Sequence, residues 1–429
     1  MLFRYAQGLR RMNPTLLRYF VAVSLIGFAV DGGIYSVLFN LFLVRLQYGP
    51  EAIGAINAVA LLVFAFISFP SGLLGERFGL RRIMLIGIAV MCFGTLFIPM
   101  ADLIPEAIRM VWLMVGYSVM YIGLSFYFVN AAPFILMLTV PSRRSVVFAR
   151  QTALMSTFAF VGSLVGGALP PWFATLLMSS VESPIPYRYA LIFAGLMLLP
   201  AVLMVWSIPR DVEATQRVKE TVDDEPSKQE VVPLKSIIGI LAMLALVRLL
   251  QVSGVAVTTT FLNIYLDTEL LLSTAHIGAI IATGRLLGVP AALVTSMLAS
   301  RIGNRRVVMI AAFGSMLSLL PLALIPHWVA AAIGFVGVVA FSWMRYAASV
   351  VYFMEQVPRS RRATLSGATE MASGVCFTVL SFGGGFLASL FGYRILFLLG
   401  AVLVLLSGVV FWMFFHNRPG SDELARSAR

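Results

Sequence analysis

From Leu16 to His416 this 429-residue chain is a near-continuous succession of apolar stretches joined by short connections. Nothing constrains its fold more. A run of about 20 apolar residues spans the hydrocarbon core of a bilayer, and there every backbone N–H and C=O must find its partner inside the protein. Such runs fold as helices, and the chain divides into about twelve of them. With 60% hydrophobic and 12% charged residues and a mean hydropathy of +0.94, little is left for a soluble domain. The expected fold class is an all-α membrane protein.

The charge is +12, and its placement argues against a nucleic-acid footprint. Lys219, Lys228 and Lys235 lie in or beside one polar linker. The arginines fall in alternate connections: Arg77, Arg81 and Arg82, then Arg143, Arg144 and Arg150, then Arg301, Arg305 and Arg306, then Arg359, Arg361 and Arg362. The intervening connections hold Arg45, Arg109, Arg188 and Arg394 beside Glu51, Asp102, Glu106, Glu182, Asp267 and Glu269. By the positive-inside rule, both termini and the linker are expected in the cytoplasm. The expected division is a juxtamembrane segment (1–15) retained without cleavage, a six-helix bundle (16–208), a linker (209–234), a second bundle (235–416) and a tail (417–429).

One connection occurs twice. Gly72, Glu76, Arg77, Gly79, Arg81 and Arg82 in the first half align with Ser296, Ser300, Arg301, Gly303, Arg305 and Arg306 in the second. Ile53 to Ile56 match Ile277 to Ile280 at the same offset. Val140 and Pro141 match Val357 and Pro358, Thr152 matches Thr369, Gly166 and Gly167 match Gly383 and Gly384, and Tyr187–Arg188 matches Tyr393–Arg394. Two halves of six spans begin and end on the same side, so they are parallel repeats about an axis along the membrane normal.

These residues resemble the major facilitator superfamily over essentially the whole chain. Its signature between spans 2 and 3, G-x-x-x-D-R-x-G-R-R, is met by Gly72, Arg77, Gly79, Arg81 and Arg82, with Glu76 at the acid position. The second copy keeps Arg301, Gly303, Arg305 and Arg306. The resemblance implies two six-helix bundles and a gate latch in which these charges meet the ends of adjacent helices. Gly72 is expected to admit a neighbouring helix and Gly79 a tight turn. The alternative for Arg81 and Arg82 is a purely topological role. In the fifth span, Gly162, Ser163, Gly166 and Gly167 resemble the G-P-x-x-G-G motif of drug and proton antiporters, with Ser163 replacing the proline, and small residues at close helix contacts explain the glycines equally well.

Five ionisable residues lie deep in apolar segments: Asp31, Arg248, Arg285, Arg345 and Glu370. Each costs roughly 2.5 to 3.5 kcal/mol at a helix centre on insertion scales, so such groups face a cavity or a partner. Helical phase groups Ser342, Arg345, Ser349 and Tyr352; Arg248, Gln251, Thr258 and Thr259; Ser24, Phe28, Asp31 and Tyr35; and Tyr117, Tyr121 and Ser125. These stripes are expected to line a substrate pathway. Trp343 sits mid-span, where it either stacks on substrate or packs between helices, while Trp112, Trp172, Trp206, Trp328 and Trp412 fall near span ends. The substrate-binding candidates are Tyr35, Tyr117, Tyr121, Arg248, Gln251, Arg285, Trp343 and Arg345. Asp31, then Glu370, are the candidates for proton coupling. The alternative is structural pairing, for example of Asp31 with Arg248.

No Walker loop is present, His276, His327 and His416 are scattered, and Cys92 and Cys376 lie in opposite halves, so neither a cofactor nor a metal is expected. The function expected is secondary active transport of a small organic solute, proton-coupled, with a slight preference for efflux and for an anionic or acceptor-rich cargo. The expected setting is a bacterial inner membrane, with the chain as a monomer. The alternative is a non-transporting sensor or partner-binding protein on the same fold.

Overall fold

The computed structural model describes residues 14–139, 144–209, 234–357 and 362–415. The basic N-terminal residues 1–13, most of the linker and the tail lie outside these residues, as do the repeat anchors Val140, Pro141 and Pro358. Among the described residues, ten helical stretches are long and apolar enough to cross a bilayer. The helix Thr274–Ile302 adds another, and the longest stretch, Leu365–Phe415, is broken at Gly392, which brings the passes to twelve. They are numbered in chain order: span 1 is Pro14–Arg45, span 2 Pro50–Phe78, span 3 Leu80–Leu103, span 4 Glu106–Leu138, span 5 Val146–Leu176 and span 6 Pro184–Trp206. Span 7 is Ile238–Thr268, span 8 Thr274–Ile302, span 9 Asn304–Leu324 and span 10 Trp328–Met354. Spans 11 and 12 precede and follow Gly392.

The chain forms two compact units that do not simply follow its order. One comprises residues 1–39 and 66–227, the other 40–65 and 228–429. Residues 40–65 belong to the first half by repeat, yet they pack with the second. In the first unit span 3 lies along span 4, and span 1 lies against spans 5 and 6. In the second, span 9 lies along span 10 and span 7 along spans 11 and 12, so the repeat read from sequence recurs as a repeat of packing.

Without a hydrophobic drive between helices in lipid, close approach of backbones does much of the holding. A Cβ on Gly123 would collide with the Gly87 carbonyl across spans 3 and 4. A Cβ on Gly162 would collide with the Phe28 carbonyl across spans 1 and 5, and one on Gly27 with the Met155 carbonyl. The duplicated connection turns at Gly79 (φ 97°) and Gly303 (φ 87°), both left-handed. That backbone suits glycine and strains other residues, which explains why this position survives in both copies.

Candidate functional site

The duplicated arginine does the same work in both halves. A helix leaves its last carbonyls without partners, and a cation there meets the negative end of the dipole. Buried Arg81 donates through Nη2 to the Trp206 carbonyl at the end of span 6. Arg305, its repeat counterpart, donates through Nη1 to the Phe415 carbonyl at the end of span 12, 3.4 Å away. Arg18 adds a 2.7 Å bond to the Ser207 carbonyl. Arg81 therefore does more than set topology. Arg82 and Arg306 are exposed, and Arg77 lies 5.3 Å from the Phe78 ring centroid. One expectation is corrected here: Gly72 makes only an ordinary contact with Val129, whereas Gly75 is the closely packed glycine, seated against the Asn130 side chain.

Span 1 is broken where its charge lies. Helix stops at Ala29 and resumes at Ile34, with Asp31, Gly32 and Gly33 in between. Gly32 has φ 83°, and a Cβ on Gly33 would collide with the Phe28 carbonyl. The freed backbone groups find side-chain partners. Gly32 N–H donates to Ser36 Oγ (2.9 Å), Ser36 Oγ–H donates to the Val30 carbonyl (3.0 Å), and Ser163 Oγ–H of span 5 donates to the Gly32 carbonyl (2.5 Å). Ser163 is fully buried, so where a proline would offer no donor, the hydroxyl satisfies a carbonyl inside the membrane. Half-buried Asp31 has no ion-pair partner among the described residues.

Arg248 of span 7 pairs instead with Glu370 of span 11 at 3.6 Å, with the Glu370 side chain 59% exposed. The Arg248 guanidinium also lies 4.6 Å over the Tyr346 ring. Behind it, Arg345 is 1% exposed and donates from Nη2 to Ser407 Oγ (2.6 Å), while its Nε and Nη1 have no hydrogen-bond partner. Gln251 donates to Ser349 Oγ at 3.3 Å and leaves its Oε1 unmatched. The Ser342 stripe thus proves to be largely a buried face: Arg345, Ser349 and Tyr352 are each 1% exposed. Span 10 presents Trp343 and Tyr346 instead, edge to face with centroids 6.2 Å apart, and Trp343 also packs on Gly288 of span 8. Arg285 is half-buried, and no described contact ties it to this group.

The tyrosine candidates gather in the first unit around Phe39. Tyr117 stacks on it with centroids 3.9 Å apart, and Tyr35 at 6.4 Å. The Tyr35 hydroxyl donates to the Thr95 carbonyl, which locks span 1 to span 3. Tyr117 and Tyr121 hydroxyls approach to 3.5 Å.

Sequence reasoning treated Arg45 and Asp267 as topology markers. The structure joins them: Nη1 and Nη2 of Arg45 each donate to an Asp267 carboxylate oxygen at 2.7 Å, with side chains 9% and 6% exposed. Asn40 donates to the Thr260 carbonyl (2.8 Å) and Asn57 to Asn40 Oδ1 (3.0 Å), continuing the polar seam. The missed signal was opposite charge at nearly equivalent positions of the repeat.

The model of the Major Facilitator Superfamily matches residues 21–375 and, in a second stretch, residues 244–429. The chain belongs to the Major Facilitator Superfamily. Among solved structures, it is similar to a D-xylose-proton symporter (TM-score 0.72, 14% identity, 94% of this chain and 97% of that one). It is also similar to the nucleoside transporter NupG as its D323A mutant (TM-score 0.71, 14% identity, 94% and 100%). A third is a bacterial homologue of the human lysosomal transporter Spinster, inward-facing and occupied (TM-score 0.71, 13% identity, 93% and 95%). At these identities the likeness shows the fold. No curated protein matches the chain. As a superfamily member with ten helices among the described residues that are long and apolar enough to cross a membrane, it is an integral multi-pass membrane transporter that works by alternating access.

Proposed function

We propose that this chain carries out secondary active, proton-coupled transport of a small organic solute across a bacterial inner membrane. Export is favoured, and the cargo is anionic or rich in acceptors. The observation that carries this reading is the positive surplus in spans 7, 10 and 11. Arg248 and Arg345 are both nearly buried, Arg248 pairs with the largely exposed Glu370, and Arg345 has Ser407 as its partner at one nitrogen while two others have no hydrogen-bond partner. An uncompensated cation in a membrane interior is costly, and an oxyanion supplies both charge and acceptors. Trp343 and Tyr346 offer an apolar wall beside it. The preference for export rests on composition alone, since 32 Phe and 21 Met in the chain are enough to supply an adaptable apolar cavity.

Asp31 supports the proton role, since it sits half-buried in a helix break, where discontinuous helices place coupling sites in other transporters. Glu370 is second, because a proton there would remove the counter-charge of Arg248. The test is flux in proteoliposomes over a panel of organic anions, with and without a pH gradient. Asp31→Asn is expected to abolish proton movement while ligand-dependent thermal stabilisation survives. Coupled proton movement by Asp31→Asn overturns the proton assignment. Unchanged apparent affinity in Arg248→Gln, Arg285→Ala and Arg345→Ala overturns the anion assignment.

A further inference from the structure

The second basic loop leads into a cavity that the transport reading does not use. It has a volume of about 350 Å³, lies between spans 9 and 12, and is lined by Arg305, Arg306, Met309, Ile310, Phe411 and Trp412. Its two ends differ in chemistry. Arg305 and Arg306 stand in the first turn of span 9, where the capping residue Gly303 has no side chain and the helix dipole adds positive potential. The remaining lining is apolar, and among the described residues no acid contributes to it. The first copy of the loop keeps Glu76, whereas the second has Ser300 in its place.

An occupant must therefore be anionic at one end and apolar along its length, and it must reach the cavity at the depth of a span end. Trp412 is 55% exposed near the end of span 12, as a residue at headgroup level would be. Free phosphate would leave four apolar side chains without a partner. We propose that this cavity binds an anionic phospholipid, with its phosphate at Arg305 and Arg306 and its acyl chain along Met309, Ile310, Phe411 and Trp412. The positive-inside rule assigns this end to the cytoplasmic leaflet, where anionic lipids concentrate and juxtamembrane basic residues are drawn to them.

The test uses the full chain in bilayers doped with phosphatidylglycerol or phosphatidylcholine, each carrying brominated acyl chains. The difference in tryptophan fluorescence between the native chain and Trp412→Phe isolates the Trp412 signal. Half-quenching of that signal is expected at an about tenfold lower mole fraction of the anionic lipid, in keeping with two arginines at the surface. Arg305→Gln/Arg306→Gln is expected to bring the two lipids to equal quenching. Arg306→Gln alone leaves the Arg305 bond to the Phe415 carbonyl in place and is expected to lose part of the preference with an unchanged unfolding temperature. Equal quenching by both lipids in the native chain overturns the proposal, as does a preference that survives the double variant. A Trp412 signal quenched by neither lipid also overturns it, because the cavity is then covered by protein, either residues 416–429 or a second copy.

Discussion

Ser163 shows how one side chain can take over from another in a membrane. A carbonyl unpaired in hydrocarbon is expensive, and in span 1 the break at Asp31 to Gly33 creates several unpaired groups at once. Ser163→Ala should cost about 1 to 3 kcal/mol through the unsatisfied Gly32 carbonyl. It should also shift the pH profile of transport, since the break that it holds carries Asp31, while Ser163→Thr should restore both. Thermal unfolding and pH-dependent flux measure the two effects, and an unchanged pH profile in Ser163→Ala would separate Ser163 from the chemistry at Asp31. In the duplicated loop, Arg81→Ala should cost about 1 to 3 kcal/mol, because it leaves the Trp206 carbonyl without its charged donor. The sequence disclosed that Arg81 and Arg305 were equivalent. That each caps the sixth helix of its own half depends on where spans 6 and 12 end in space.

At the scale of elements, the ends of spans 1 and 7 are clasped by Arg45 and Asp267. Both charges are nearly buried, so removing one strands the other. Arg45→Met should destabilise the protein by about 3 to 5 kcal/mol, and the double variant Arg45→Met/Asp267→Leu should recover most of that loss. Equal melting temperatures for the single and double variants would contradict this account. The same scale corrects the reading of span 10. Periodicity identified a polar stripe on it, but a stripe of period 3.6 marks a face without saying what that face meets. In this bundle it meets spans 7 and 12, through Gln251 and Ser407, and the open face carries Trp343 and Tyr346. Gly123→Leu, between spans 3 and 4, should prevent the close crossing at Gly87, and loss of folded protein in a detergent-stability assay would register it.

For the whole molecule, a transporter should be stabilised by its cargo, by RT ln(1 + [L]/Kd), so the anionic cargo proposed above, at about 100 Kd, should add about 2.7 kcal/mol. A thermal-shift panel would identify that anion, and a neutral amide of the same shape should give little shift if the charge of Arg248 and Arg345 selects the ligand. The sequence by itself determined the solvent, the helical class, the number of passes and the repeat, because bilayer thickness and backbone hydrogen bonding leave no other solution for apolar runs of this length. It also marked Asp31, Arg248, Arg345 and Glu370 as residues needing an explanation, since charge is rare inside a membrane. What it left open was partnership. Arg248 pairing with Glu370, Ser163 reaching Gly32, Arg45 meeting Asp267, and residues 40–65 packing with the second half are all contacts between residues far apart in the chain. A helix fixes its neighbours at three and four residues, but its partners are set by how bundles cross, and that was decided only in the tertiary structure.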